Sequence, residues 1–364
     1  MIRALRPTAP ALALLPALAL VPVLIVVLQA VHGGGGEIWA AFLIGAVRPS
    51  LDPVLIGSLL RALQVTLATA LTGWGCSLLI GVVLGCLSSE RLWLTFRWPG
   101  LPAVLLRRLL ALPRSVHELI WGLLLLQVFG LHPWVAVAAI TIPYAALVAR
   151  VWRDQLQSLD SSKLEALLQA GASPLSACFT AFAPAMGGVL MSYGGYRLEC
   201  ALRSATLLGV FGLGGLGTDL ELSLKSLRFQ ELWTGLWLLA LVSIALEQGL
   251  RLWRLHSGQA RLAQRQGLGF VALVLMAVMV GGLWLAHLFP EAGPLLWMPV
   301  IWPDGRALLE AAQELPWMPM IWETLLLTVL AAGIAIGLPP LVLLLSTSRL
   351  WRSCLGALWS LLRL

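Results

Sequence analysis

Long apolar runs, joined by short charged segments, dominate this chain. No Asp, Glu, Lys or Arg occurs from Pro7 to Gly36, Ala62 to Ser89, Leu119 to Ala149, Gln266 to Pro290 or Thr324 to Ser348. Each run exceeds the ~20 apolar residues that carry a helix across a bilayer. None shows the polar stripe that a helix on a soluble core turns toward water. The pattern predicts spans near 11–30, 57–87, 109–129, 134–152, 181–200, 231–250, 268–289 and 321–346, an all-α integral membrane bundle of about eight spans. Arg3 and Arg6 ahead of Ala11–Ala30 also fit a signal peptide. That run is long for one and lacks an A-x-A site before His32, so it is expected to be a retained first span.

Composition agrees with the pattern. Of 364 residues 59% are hydrophobic and 11% charged, against roughly 25% charged in a soluble domain, and the mean hydropathy is +0.90. A net charge of +7 invites a nucleic-acid reading, but the charges sit at the ends of apolar runs, not on one face or in a tail. With the N-terminus inside, the expected cytoplasmic joints hold Arg91, Arg97, Arg107 and Arg108, then Arg150, Arg153 and Lys163, then Arg251, Arg254, Arg261 and Arg265, and last Arg349, Arg352 and Arg363. The opposite side holds Arg48, Arg61, Arg197, Arg203, Lys225, Arg228 and Arg306. That bias follows the positive-inside rule. Cys76, Cys86, Cys178, Cys200 and Cys354 form no CxxC pair, and the five histidines are scattered. These cysteines read as small buried residues, not as a disulfide framework or metal site.

The chain also repeats itself. Leu63-Gln64-Val65-Thr66-Leu67, an apolar span and Ser88-Ser89-Glu90-Arg91-Leu92-Trp93 are echoed by Leu326-Leu327-Thr328-Val329, an apolar span and Ser346-Thr347-Ser348-Arg349-Leu350-Trp351. The expected organisation is one complete unit over 1–255, followed by the start of a second, truncated unit over 256–364.

Between two spans, on the positive side, lies Lys163-Leu164-Glu165-Ala166-Leu167-Leu168-Gln169-Ala170-Gly171-Ala172-Ser173-Pro174. Glu165 to Ala170 favours helix. Gly171 can end it, Pro174 suits the turn beyond, and Pro184 falls near the start of the next span. The expected product is a short amphipathic helix lying across the cytoplasmic face. The spacing Glu-Ala-x-x-x-x-Gly, nine residues, then x-x-x-Pro resembles the EAA loop of binding-protein-dependent ABC importer permeases, with Glu165, Ala166, Gly171 and Pro184 on motif positions. Leu167 stands where the motif has a second alanine, and Ala181 and Ala183 where larger aliphatics are usual. Two further blocks, Leu112-Pro113-Arg114-Ser115-Val116-His117-Glu118-Leu119-Ile120-Trp121 and Tyr196 to Gly217, resemble the phosphonate-type branch, except that Leu216 replaces an isoleucine.

That resemblance implies a MetI-like transmembrane helix bundle with a cytoplasmic coupling helix. It assigns contact with a separate ABC ATPase to Glu165, Ala166, Gly171, Ala172, Ser173 and Pro184. It also implies a periplasmic substrate-binding protein, a second permease copy (identical or paired), and a place in the bacterial inner membrane. ATP is then used by the partner. This chain carries no G-x-x-x-x-G-K-[ST], and is expected to bind no cofactor or metal, to catalyse nothing and to contact no nucleic acid. The implied cargo is a phosphonate, phosphite or related phosphorus oxyanion. The alternatives are a permease for another small solute and an ATP-independent secondary transporter, which would need ion-coupling carboxylates at mid-membrane, with Glu199 the candidate. A membrane-embedded enzyme would need a constellation such as H-E-x-x-H, which is absent from the sequence.

Ionisable groups inside a membrane mark a pathway or a pair. Arg114 and Glu118 lie one helical turn apart, as do Glu199 and Arg203. Either pair lines the path or gates it, or locks helices together. Gly212, Gly214, Gly215 and Gly217 make the segment from Gly209 too glycine-rich for a stable helix, and a bend near the outer gate is expected there. Beyond it Lys225 and Arg228 either draw an anionic substrate or are ordinary solvated charges. Gly212, Gly214 and Gly217 also satisfy G-x-G-x-x-G, but a dinucleotide site needs a βαβ context and the surroundings read as transmembrane, so it is rejected. Gly81 and Gly85 form a small-xxx-small packing pair.

Overall fold

A computed structural model describes residue 25, residues 35–256, 263–290, 297, 299 and 304–345. The expected span at 11–30 lies outside these residues apart from residue 25, as does the repeat block Ser346–Trp351. The chain divides into two compact units, residues 42–300 and residues 1–41 with 301–364.

All regular structure among the described residues is helical. In order it comprises α1 (Gly36–Val47), α2 (Pro53–Leu87), α3 (Glu90–Thr95), α4 (Leu101–Leu109), α5 (Ala111–Ser115), α6 (Glu118–Phe129), α7 (Pro133–Ser158), α8 (Ser162–Gln169), α9 (Pro174–Leu208) with a π-helical turn (Gly209–Leu213), α10 (Leu216–Lys225), α11 (Phe229–His256), α12 (Ala263–Leu288), α13 (Gly305–Glu314) and α14 (Trp317–Leu345). Proline opens α2, α7 and α9, where its missing N–H has no intrahelical partner to lose.

Among the described residues, five helices are long and apolar enough to cross a membrane: Pro53–Leu87, Pro133–Ser158, Pro174–Leu213, Phe229–Leu252 and Gly269–Leu288. Two bent pairs raise the number of crossings to as many as seven. One of these stands where a single span near 109–129 is expected. Leu101–Ser115 and Glu118–Phe129 meet at 90°, because Val116 and His117 adopt extended backbone (ψ 129° and 148°). His117 then starts α6 afresh, its Nδ1 accepting from the Leu119 N–H at 3.3 Å. At 12 residues, α6 reaches only about 18 Å. The second bent pair, α13 with α14, turns by 64° in the other unit. Pro184 is a further correction: it lies inside α9, which begins at Pro174.

Glycine organises the core of the 42–300 unit. On α2, Gly73, Gly81 and Gly85 face Ile140, Val148 and Trp152 of α7 at a constant offset, so the two helices run parallel. A Cβ on Gly81 would lie 2.6 Å from the Val148 Cβ, and one on Gly85 2.8 Å from that of Trp152. Small-residue contact of this kind replaces the hydrophobic drive that lipid does not provide. Two parallel helices require the chain to cross back between them, and the bent α4–α6 segment makes that return. Helices α9 and α12 run antiparallel to α2. Trp74 donates from Nε1 to the Gly194 carbonyl at 2.7 Å and meets Phe270 edge-on at 6.1 Å. Gly75 faces Val278, and Gly281 faces Thr72. The ends of α2, α7 and α11 and the starts of α9 and α12 therefore share one face of the unit. Arg91, Arg97, Arg107, Arg108, Arg150, Arg153, Lys163 and Arg251 all lie in these end segments.

Candidate functional site

At that shared face the sequence folds into the expected short helix. Asp160 accepts the Ser162 N–H at 3.0 Å, and Ser161 Oγ donates to Glu165 Oε1 at 2.7 Å, which together fix the start of α8. The Ser162 hydroxyl also donates to Asp160 at 2.5 Å, and these two bonds from Ser162, the hydroxyl first and the N–H second, hold the Asp160 carboxyl below its ordinary value. At the other end, the Gly171 N–H bonds the Leu168 carbonyl at 3.1 Å and the Ala172 N–H the Leu167 carbonyl at 3.0 Å. This is the Schellman arrangement, and it requires the left-handed φ of 85° found at Gly171. Ser173 Oγ then caps α9, accepting from the Ser176 N–H at 3.4 Å.

One side of α8 is anchored and the other is free. Leu164 is 4% exposed and packs with Leu156, Ala177, Phe182 and Met186, flanked by Cys86, Leu92 and Trp152. The helix therefore grips the ends of α2, α7 and α9 together. Arg91 adds a latch, its Nη1 donating to the carbonyls of Leu156 (2.9 Å) and Leu159 (2.6 Å) at the C-terminus of α7. Glu165, Ala166, Gln169, Ala170 and Gly171 face outward and are exposed.

A second constellation lies deep in the bundle. The break before α6 separates Arg114 from Glu118, so the expected one-turn pair does not form. Glu118 instead accepts from Ser204 Oγ at 2.7 Å, across to α9, and His117 Nε2 lies 3.5 Å from its other oxygen. Tyr144 of α7 joins them, its hydroxyl 2.7 Å from Ser204 Oγ. The Glu199–Arg203 pair does form, at 3.2 Å within α9. Arg197 corrects the sequence reading. The sequence placed it among the charges of the opposite side, but α9 continues past it, and it is 7% exposed with its guanidinium carbon 3.7 Å from the centre of the Tyr144 ring. Sequence reasoning singled out neither Tyr144 nor Ser204, because their roles depend on pairing between distant helices.

The glycine bend is present as expected. Gly212, Gly214 and Gly215 take φ values of 82°, 86° and 91°. Gly217 opens α10 against the preceding chain, where a Cβ would lie 1.8 Å from the Thr206 carbonyl. Thr218 Oγ1 donates to the Gly209 carbonyl at 2.7 Å, and the Leu216 N–H donates to Thr66 Oγ1 at 2.9 Å. The bend is thus tied to α2. Among the described residues no group of His, Cys, Asp and Glu is placed to hold a metal ion.

Comparison with known proteins agrees with this arrangement. Residues 77–247 match the family described as binding-protein-dependent transport system inner membrane component. The chain is 28% identical over 177 residues to a phosphite transport system permease protein of Stutzerimonas stutzeri, covering 48% of this chain and 62% of that protein. It is 26% identical over 185 residues to a phosphate-import permease protein of Mycolicibacterium smegmatis (strain ATCC 700084 / mc(2)155), covering 50% of this chain and 34% of that protein. The chain thus spans less than two thirds of the length of either relative. No solved structure matches it. The matched region runs from the glycine-lined face of α2 through α8 and the bend into α11, so the likeness of this multi-pass membrane chain to binding-protein-dependent transport system inner membrane components covers residues 77–247.

Proposed function

We propose that the chain is the permease subunit of an ATP-driven importer for phosphite, phosphonate or a related phosphorus oxyanion. The observation that carries this reading is α8. It is a capped helix with an exposed outer side, and its inner side is packed on the ends of three long helices. A separate ATPase gripping Glu165 to Gly171 displaces α2, α7 and α9 as it closes, and the bundle alternates between inward and outward openings. A periplasmic binding protein delivers the substrate to the opposite end, near the Gly209–Gly217 bend. A second permease copy completes the path, and the N-terminus is cytoplasmic. The phosphorus oxyanion class rests on the names of the relatives. The start of a second unit after residue 256 belongs to the same reading. An ATP-independent transporter is disfavoured, because Glu199 is paired with Arg203 and Glu118 accepts from Ser204.

The test is uptake into proteoliposomes holding this chain, its ATPase and its binding protein. The reading predicts accumulation of labelled phosphite that needs internal ATP. Accumulation without ATP, or with an ion gradient alone, refutes it.

A further inference from the structure

Arg197 is a buried cation that the bundle leaves incompletely bonded. Its plane lies on the Tyr144 ring, and the Tyr193 ring is 5.9 Å away. Two of its nitrogens, Nε and Nη2, are fully buried and have no hydrogen-bond partner. Among the described residues, the acids near it are engaged elsewhere: Glu199 with Arg203, and Glu118 with Ser204 and His117. A guanidinium stacked on an aromatic face gains cation–π attraction, but its in-plane N–H groups gain nothing from the ring. Burying such a charge without acceptors is expensive, and in a membrane protein it marks function.

The identity of the orphan atoms is informative. Nε–H and Nη2–H lie on the same edge of the guanidinium and point the same way. They form the fork that takes two oxygens of a carboxylate or phosphate at once. A hydrophobic stacking role would not need that edge free of internal acceptors. Tyr193, beside Arg197, also lines a groove of about 480 Å³ with Val151, Gln155, Gly188, Val189, Ser192 and Tyr196. This groove lies between α7 and α9, and Tyr193 is shared between its lining and the surroundings of Arg197.

We propose that the Nε/Nη2 edge of Arg197 is an oxyanion-binding station inside the permease, with Tyr144 holding the guanidinium plane and Tyr193 shared with the α7–α9 groove. The ligand class is a small tetrahedral oxyanion. The proposal deepens the importer reading and rests on it for the direction of passage, but not for the binding itself.

Two measurements separate the claims. The first is uptake of labelled phosphite by the full transporter carrying Arg197→Gln or Arg197→Lys. Loss of a buried, charge-assisted bidentate contact predicts at least a ~10-fold fall for Arg197→Gln, with ATPase stimulation by the binding protein retained. Arg197→Lys, which keeps the charge but not the fork, is expected to recover part of the rate. The second is thermal unfolding of the transporter in nanodiscs with methylphosphonate or sulfate against sodium chloride of equal ionic strength. The wild type is expected to rise by ~3 °C with either oxyanion, and both variants to lose most of that rise. A lost rise without any phosphite uptake by the wild type keeps the station and overturns the cargo. Phosphite uptake by Arg197→Gln within twofold of wild type, or an unchanged oxyanion shift in that variant, overturns the station and leaves the importer standing.

Discussion

Gly171 isolates the part of α8 that depends on backbone conformation alone. Its φ is 85°, and a Cβ built there meets nothing within 4 Å. Replacement by alanine therefore adds no clash, only the left-handed penalty of about 1–2 kcal/mol. That shifts the equilibrium between the stopped helix and competing loop conformations by roughly 5- to 30-fold. The two bonds that depend on the stop, Gly171 N–H to Leu168 and Ala172 N–H to Leu167, open together. Asparagine tolerates the left-handed region and should lose less. Amide exchange in nanodiscs reads the effect directly. The amides of residues 171 and 172 should exchange faster in Gly171→Ala by that factor, with Gly171→Asn between it and wild type. Ala177, 0% exposed within α9, should not change. Equal exchange in alanine variant and wild type, or an asparagine variant worse than alanine, refutes the reasoning.

Three further outcomes follow from packing and charge. Gly217→Ala drives a Cβ into the rigid Thr206 carbonyl, so folded yield should collapse, consistent with overpacking at the ~3 kcal/mol end of its range; Gly269→Ala, whose Cβ meets nothing, is the control. Trp74→Phe removes the buried donor to the Gly194 carbonyl and should lower stability by about 1–3 kcal/mol, read as a fall in Tm in detergent. Asp160 is held below its usual value by the Ser162 bonds, so its ionised form stabilises the start of α8 above the unfolded value of about 3.9 and that stabilisation fades as pH falls through the lower folded value. Exchange in α8, corrected for intrinsic rates, should stay level from pH 7 to about 5 and rise only in stronger acid; a rise near pH 6 contradicts the assignment.

Local chemistry was legible and long-range chemistry was not. The charge-free runs gave the positions of α2, α7 and α12, because lipid demands unbroken apolar length. Glu165 to Pro174 gave α8 and its stop, because a glycine and a proline act on their own neighbourhood. The break at Val116–His117 was hidden, since the residues after it are as apolar as any span. Arg197 was misplaced for a related reason. A charge in a sequence reads as the edge of the membrane, whereas here α9 runs on beneath it, and the aromatic ring that holds the guanidinium comes from α7. The Glu118–Ser204 contact likewise joins residues that no spacing rule relates.

The central claim is that the exposed side of α8 is held by a separate ATPase. A photo-crosslinking amino acid at Ala166, compared with one at the exposed Leu222 of α10, tests this in cells producing the whole transporter. The account predicts a permease–ATPase adduct from position 166 and none from position 222. An adduct with a protein of the outer compartment at position 166, or with the ATPase at position 222 alone, contradicts it.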